Sequence, residues 1–459
     1  MFTITIFLSL IISAVGITFI SITGAGYKSL RDFGLIFLAI TLGLNASVVV
    51  KKKLSLSEVS TGIPHIKVKS FEGTILEDAQ SLPDGRSLFT LMLKRVSDGH
   101  GTEASASGKV VIYYRGTLAY GWGAEIRVDS ALKSQKDSGK EDFFSYPGEE
   151  DIQFLYWSSP LLKLRYLMKE KVLRSIQKMG KPAAGLFGAL FLGVRDDLGV
   201  LEREYFRRAG SMHILALSGM HLGIIAGLIF FLLSPIAGKR YSFLISLVIL
   251  SCYILTTGLK PSLLRAGVMF FLFGFGRLIA RETSPLNILF LAFIILAIAM
   301  PSSVNTLSFK LSFLALFGIL VVSKRVIFYL NPFLPRAVAL SISASIGAQA
   351  LTSILVIPVF GVIYPVGIIA SLLLAPLITV FIALGMLYIV LIQVPLMDQI
   401  LRFLLFFIYK WVIELVKLFS LFPGLRIERN WEYTIYFISL LCFFTALSYP
   451  VIKNFKKRV

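Results

Sequence analysis

Arg207-Arg208-Ala209-Gly210-Ser211-Met212-His213-Ile214-Leu215-Ala216-Leu217-Ser218-Gly219-Met220-His221-Leu222-Gly223 opens an apolar segment that runs on to Leu233 without a further charge. Two of the chain's 4 histidines lie inside it. An ionisable side chain within a bilayer is expensive, so by default it faces a protein-lined cavity and marks a functional position. On one continuous helix of about 100° per residue, His213 and His221 stand about 80° apart, with Ser218 close beside His221. Gly219, Gly223 and Gly227 form a small-residue stripe on another face, which predicts close approach of a second helix. The segment therefore reads as a membrane helix with a packing face and a polar face.

Composition agrees. The 459 residues are 56% hydrophobic with a mean hydropathy of +0.80, which places the chain among membrane proteins. The net charge of +20 is uneven: residues 1–182 hold 23 Lys and Arg against 17 Asp and Glu, and residues 183–459 hold 23 against 9. The more apolar part is thus the more cationic one. Cytoplasmic loops account for some of that excess, and the rest would suit a path for an anion. The 2 cysteines, Cys252 and Cys442, sit in apolar runs and offer neither a disulfide framework nor a zinc spacing.

Hydrophobic patterning divides the chain into four parts. Residues 1–50 hold two apolar runs, read as a retained transmembrane hairpin that ends at Lys51-Lys52-Lys53. Residues 51–160 alternate polar and apolar in short runs separated by Gly- and Ser-rich breaks, predicting a small soluble β domain, OB-like or of another small β type. Residues 161–182 mix apolar positions with seven Lys and Arg, predicting a basic amphipathic helix at the membrane surface or with a solvated charged face. Residues 183–459 are a succession of apolar runs, read as eight to eleven further spans. The fold class predicted is a polytopic α-helical membrane protein with a small inserted β domain. The Lys453–Arg458 tail favours a cytoplasmic C-terminus, against which Arg426 and Arg429 on the preceding loop argue.

Further polar side chains interrupt the apolar runs: Lys260 and Arg265 at the start of one helix, Lys310 and Ser312 within another, and Gln349 in a segment of small residues. Either they line a path or the long side chains snorkel to the interface. In the β domain, Tyr113, Tyr114, Tyr120 and Trp122 are candidate stacking platforms for bases, or ordinary core and rim residues. The sequence holds no P-loop, no H-E-x-x-H and no paired CxxC, so neither a motor nor a zinc hydrolase site is legible, and no cofactor or catalytic residue is assigned.

The segment Phe206 to Gly223, with its His213-Ile214-Leu215-Ala216-Leu217-Ser218-Gly219-Met220-His221 core, resembles the signature of the ComEC competence-protein family. Leu190–Arg195, Gly258–Met269, Leu307–Phe313 and Ala370–Leu377 resemble other family segments in the same order, over about 183–390. Lys310 stands where the family commonly has Gln, and Ser371 where Asn is usual. The resemblance implies a multi-pass protein of the bacterial cytoplasmic (inner) membrane, a channel that passes transforming single-stranded DNA inward. It implies a separate uptake receptor and an ATP-driven motor as partners. Many members continue into a metallo-β-lactamase-like domain with no counterpart in this sequence, so nuclease activity is not carried over, and any nuclease would be a separate partner. A competing reading is a secondary transporter of a small anion, with the histidines coupling protons.

Overall fold

A computed structural model describes residues 59–426, apart from 83–84, 100–101, 117, 138–139 and 279–283. The expected N-terminal hairpin and the apolar run around Cys442 with its basic tail lie outside the described residues.

The β region expected from period-two alternation is a single sheet of ten strands: β1 (Ser60–Thr61), β2 (Ser70–Ile75), β3 (Gln80–Ser81), β4 (Arg86–Ser97), β5 (Glu103–Ser107), β6 (Lys109–Arg115), β7 (Ala124–Val128), β8 (Lys133–Asp137), β9 (Lys140–Ser145) and β10 (Ile152–Trp157). Its main path runs β10-β7-β2-β4-β6-β9-β8, antiparallel except for the parallel β6–β9 pair. Alternate residues of β4 (Phe89, Leu91 and Leu93) point into the core, as the pleat requires. The register with β2 then shifts between Glu72 and Gly73. This bulge lets Val96 turn inward while Lys94 reaches across to pair with Glu125.

The helices are α1 (Pro160–Gln177), α2 (Ala183–Phe191), α3 (Val200–Arg208), α4 (Met212–Leu215), α5 (Gly219–Thr257), α6 (Pro261–Leu278), α7 (Pro285–Ala299), α8 (Leu307–Val321), α9 (Ser323–Leu330), α10 (Arg336–Phe360), α11 (Gly367–Leu391) and α12 (Pro395–Ser420). The largest core joins α2, α3, α11 and α12 around Phe187, Phe206, Phe381, Tyr388 and Leu405. Helix α5 is not straight. Gly238 takes φ 73° and ψ 161° within it, and Leu222, Ile225 and Ile229 share one buried cluster with Leu250, Tyr253 and Ile254. A straight helix at about 1.5 Å per residue would hold Ile225 and Leu250 almost 40 Å apart, so the chain folds back at Gly238.

By length and composition three described helices can cross a membrane, α5, α10 and α11, and a fourth if α8 and α9, bent by 43°, are one span. Eight to eleven spans are not reached by that measure among the described residues, which leave out the run around Cys442 and in which some apolar runs form shorter helices. The apolar α7, with 15 residues, is one such piece; at about 1.5 Å per residue it falls short of a hydrocarbon core roughly 30 Å thick.

Candidate functional site

The signature segment does not form one continuous helix. Helix α4 ends after a single turn, Ala216 and Ser218 are extended, and α5 starts at Gly219. The 80° relation between His213 and His221 therefore does not apply: the two rings sit on separate helices. Non-helical backbone in an apolar setting is tolerated where its polar groups find partners inside the protein, and several of those at the break do. The Leu217 carbonyl accepts from Ser262 Oγ at 2.6 Å and the Leu215 carbonyl accepts from Arg195 Nη2 at 3.2 Å. The Ser218 backbone N–H donates to His221 Nδ1 at 3.1 Å, and Ser218 Oγ lies 2.9 Å from the same nitrogen. His221 is fully buried, and its Nε2 has no partner among the described residues. Because Nδ1 accepts from a backbone N–H, a neutral ring carries its proton on Nε2. His213 is exposed at the edge of the same break, with Nε2 3.5 Å from Ser371 Oγ of α11.

Arg265, one turn into α6, is 8% exposed. Its Nε–H donates to Ser312 Oγ of α8 at 2.8 Å, and its Cζ lies 5.9 Å from the centre of the Phe313 ring. Among the described residues no carboxylate pairs with it. Lys260 Nζ lies against Gly193, which has φ 70° and no side chain to obstruct it. Lys260 likewise has no ion pair among the described residues. Of the other flagged residues, Lys310 is exposed and Gln349 is half-buried. Lys310 and Ser312 differ by about 200° on their helix, so only one of them can face Arg265.

Among the described residues the glycine stripe is approached at one of its three positions. Only Gly219 is closely approached, where a Cβ would lie 3.1 Å from Arg265 Nη2 and 3.3 Å from Ala266 Cβ. A Cβ at Gly223 or Gly227 would meet nothing within 4 Å among the described residues. The tight helix contact lies elsewhere, where α8 and α10 meet backbone to backbone at Gly318 and Gly347. Gly347 continues a small-residue repeat with Ala339 and Ser343, all three buried on α10, which the sequence reading passed over; Gly318 has no small residue four positions away on either side.

The basic helix forms as α1, but its Arg165 turns inward and is buried. Its guanidinium makes two bonds to Asp78 of the β region, Nη1–Oδ1 at 2.9 Å and Nη2–Oδ2 at 2.5 Å, and Nε–H donates to the Leu255 carbonyl of α5 at 2.8 Å. Lys169 Nζ adds a third cationic bond to Asp78 at 2.7 Å, and the Trp122 backbone N–H donates to Asp78 Oδ1 at 2.9 Å. Burial pushes the Asp78 carboxyl up, but the Arg165 hydrogen bonds and the Lys169 charge outweigh it and hold the group well below the usual carboxylate range.

The four candidate platforms separate. Tyr114 is buried in the sheet core, Tyr120 stacks on Phe154 at 4.8 Å, and Trp122 lies under Arg165 at 5.1 Å. Tyr113 stacks on Tyr146, 5.2 Å away and 47% exposed, with Phe144 edge-on to Tyr146 at 5.6 Å. Arg86 lies 5.8 Å from the Tyr113 ring and Lys133 lies 5.6 Å from the Tyr146 ring. Tyr146, Phe144 and Lys133 were not among the stacking candidates read from the sequence. They come together because β9 runs parallel to β6, with Val111 opposite Phe144, and antiparallel to β8, with Lys133 opposite Phe144.

Among the described residues no group of three or more His, Cys, Asp or Glu is placed to hold a metal ion. No solved structure matches the chain. ComE operon protein 3 of Bacillus subtilis (strain 168) is 27% identical over 167 residues, which is 36% of this chain and 21% of that protein, so the match spans about a fifth of the relative's length. The family model for competence protein matches residues 190–452, more than half of the chain and the whole stretch that holds the α4–α5 break and Arg265. The chain belongs to the competence protein family.

Proposed function

We propose that this protein conducts transforming DNA, as a single strand, across the bacterial cytoplasmic membrane, acting as a channel rather than an enzyme. The observation that carries this reading is Arg265, a guanidinium buried among apolar helices that has a hydroxyl partner and, among the described residues, no carboxylate. An uncompensated buried cation is costly. It is retained where an anion passes, and a DNA strand offers one phosphate per nucleotide. Ser218 and Ser312 add hydroxyls, and a neutral His221 carries an N–H on Nε2.

The β region would take up the strand before entry. An OB-like assignment is supported by the β2–β4–β6 meander, by β7 beside β2 and by the parallel β6–β9 pair. Its exposed aromatic pair, flanked by cations, suits sequence-tolerant stacking of bases. Without a P-loop in the sequence, directional pulling falls to a separate ATP-driven partner, and strand delivery to a separate receptor. Anion transport coupled to histidine protonation has less support, since His221 Nδ1 is already engaged in capping α5.

The test is uptake of labelled DNA by cells that carry the wild-type chain, no chain, or Arg265→Gln. Uptake lost without the chain and reduced at least tenfold by Arg265→Gln, at equal membrane abundance, is expected. Normal uptake by the deletion strain would refute the proposal.

A further inference from the structure

The junction between the β region and the helices carries more positive charge than its own carboxylates balance. Lys169 and Arg165 share the single carboxylate of Asp78. Lys260 and Arg195 face the same junction. Lys260 passes over Gly193, two residues before Arg195, and Gly258, two residues before Lys260, lies with its missing side chain 3.6 Å from Arg165 Nη2. Arg195 spends one Nη2 bond on the neutral Leu215 carbonyl, and Lys260 has no partner among the described residues. Among the described residues two of these four cations pair with Asp78, and neither Lys260 nor Arg195 pairs with a carboxylate.

The environment of Lys260 agrees. Burial first, and then the charges of Lys169 and Arg195, push its ammonium down to about 8, and Asp78 opposes this only in part. Burial and the Arg203 charge lower Arg195 as well. Helix α6 begins at Pro261, immediately after Lys260, so the positive end of an 18-residue helix points at the same place. Such an arrangement relaxes on binding an oxyanion, which reduces repulsion between the cations and further favours the charged state of the lysine.

We propose that Lys260, Arg195 and Lys169 form a cradle for one phosphodiester group of the strand, between its capture on the β region and its passage by Arg265. The cradle rests on the reading of the chain as a DNA conduit. A phospholipid headgroup offers the same chemistry, and the two sources can be separated by experiment.

The full chain in nanodiscs of uncharged lipid is titrated with fluorescent oligothymidylate over a range of salt, as wild type, Lys260→Met, Lys260→Arg and Arg195→Gln. Lys260→Met keeps the aliphatic stem over Gly193, and its thermal stability serves as the folding control. Expected are affinity about tenfold weaker for Lys260→Met, close to wild type for Lys260→Arg, and a salt slope lower by about 0.7, the single-strand value for one phosphate. The oligonucleotide should also protect Lys260 from amine acylation, and its uncharged methylphosphonate analogue should not. Unchanged affinity and slope in both neutral variants would overturn the cradle while leaving the conduit reading intact. Absence of any oligonucleotide binding to wild type would overturn both. Protection of Lys260 by phosphatidylglycerol nanodiscs alone, with no effect of oligonucleotide, would reassign the site to a lipid headgroup and overturn the proposal.

Discussion

The backbone N–H of Ser218 donates to Nδ1 of His221, three residues along, and so ties the histidine to the start of its own helix. His213, by contrast, is exposed and only loosely joined to Ser371. The two histidines of the signature therefore do different work. His221→Leu leaves the Ser218 N–H without its partner, at a cost of about 1–2 kcal/mol by the usual value of a helix cap. A fall in membrane abundance or detergent stability is expected, together with reduced uptake. His213→Leu should lower DNA internalisation with abundance unchanged. Quantitative immunoblots beside uptake assays separate the two, and equal abundance in both mutants with equal loss of uptake would contradict the division.

Gly318→Leu or Gly347→Leu should be the most damaging single glycine change in the bundle. At Gly347 a Cβ would lie 2.7 Å from the Gly318 carbonyl oxygen, so α8 and α10 must move apart. Overpacking of this kind costs about 1–3 kcal/mol, more where backbone must shift. Gly223→Leu, at a position open among the described residues, should leave the melting temperature in detergent close to wild type. Melting curves of the three variants decide the matter, and the reverse order would return the packing role to the Gly219–Gly227 stripe.

Asp78→Ala should loosen the β region from the helices. It leaves Arg165, only 3% exposed at its side chain, without a counter-charge, and breaking a buried pair from one side costs about 3–5 kcal/mol. Faster proteolysis between β10 and α1 is the expected readout. Because the carboxyl is held below its unfolded value of about 3.9, its stabilisation is complete above that value and is lost only as pH falls towards the depressed one. Docking should therefore be insensitive to pH between about 5 and 8. A loss of docking within that window would point to another group.

Tyr113→Ala with Tyr146→Ala should weaken binding of single-stranded DNA to the purified chain at low salt, by roughly 1–3 kcal/mol per lost stacking contact. Tyr114→Ala should instead lower stability, since that ring is core. Fluorescence anisotropy with oligothymidylate measures the first effect and thermal melting the second. Wild-type binding by the double mutant would leave the exposed pair a structural role.

Some of this was legible from the chain itself. Period-two alternation marked out the β region, and long apolar runs marked out the helices, because burial imposes those periods directly on sequence. The polar residues that interrupt the apolar runs were legible too, since an ionisable group is conspicuous where hydrocarbon is the surrounding solvent. Their partners were not. Nothing local says that Arg265 meets Ser312 47 residues on, or that Arg165 of a basic helix turns inward to a carboxylate 87 residues upstream. Neighbouring residues on a strand face opposite sides, so Tyr113 and Tyr114 could never share a surface; which one turned outward depended on where the core of the sheet lay. Likewise, a helical wheel presumes an unbroken helix. The turn from α4 to α5 is held open by Ser262 and Arg195 from other segments, so only the assembled bundle could decide that His213 and His221 belong to different helices.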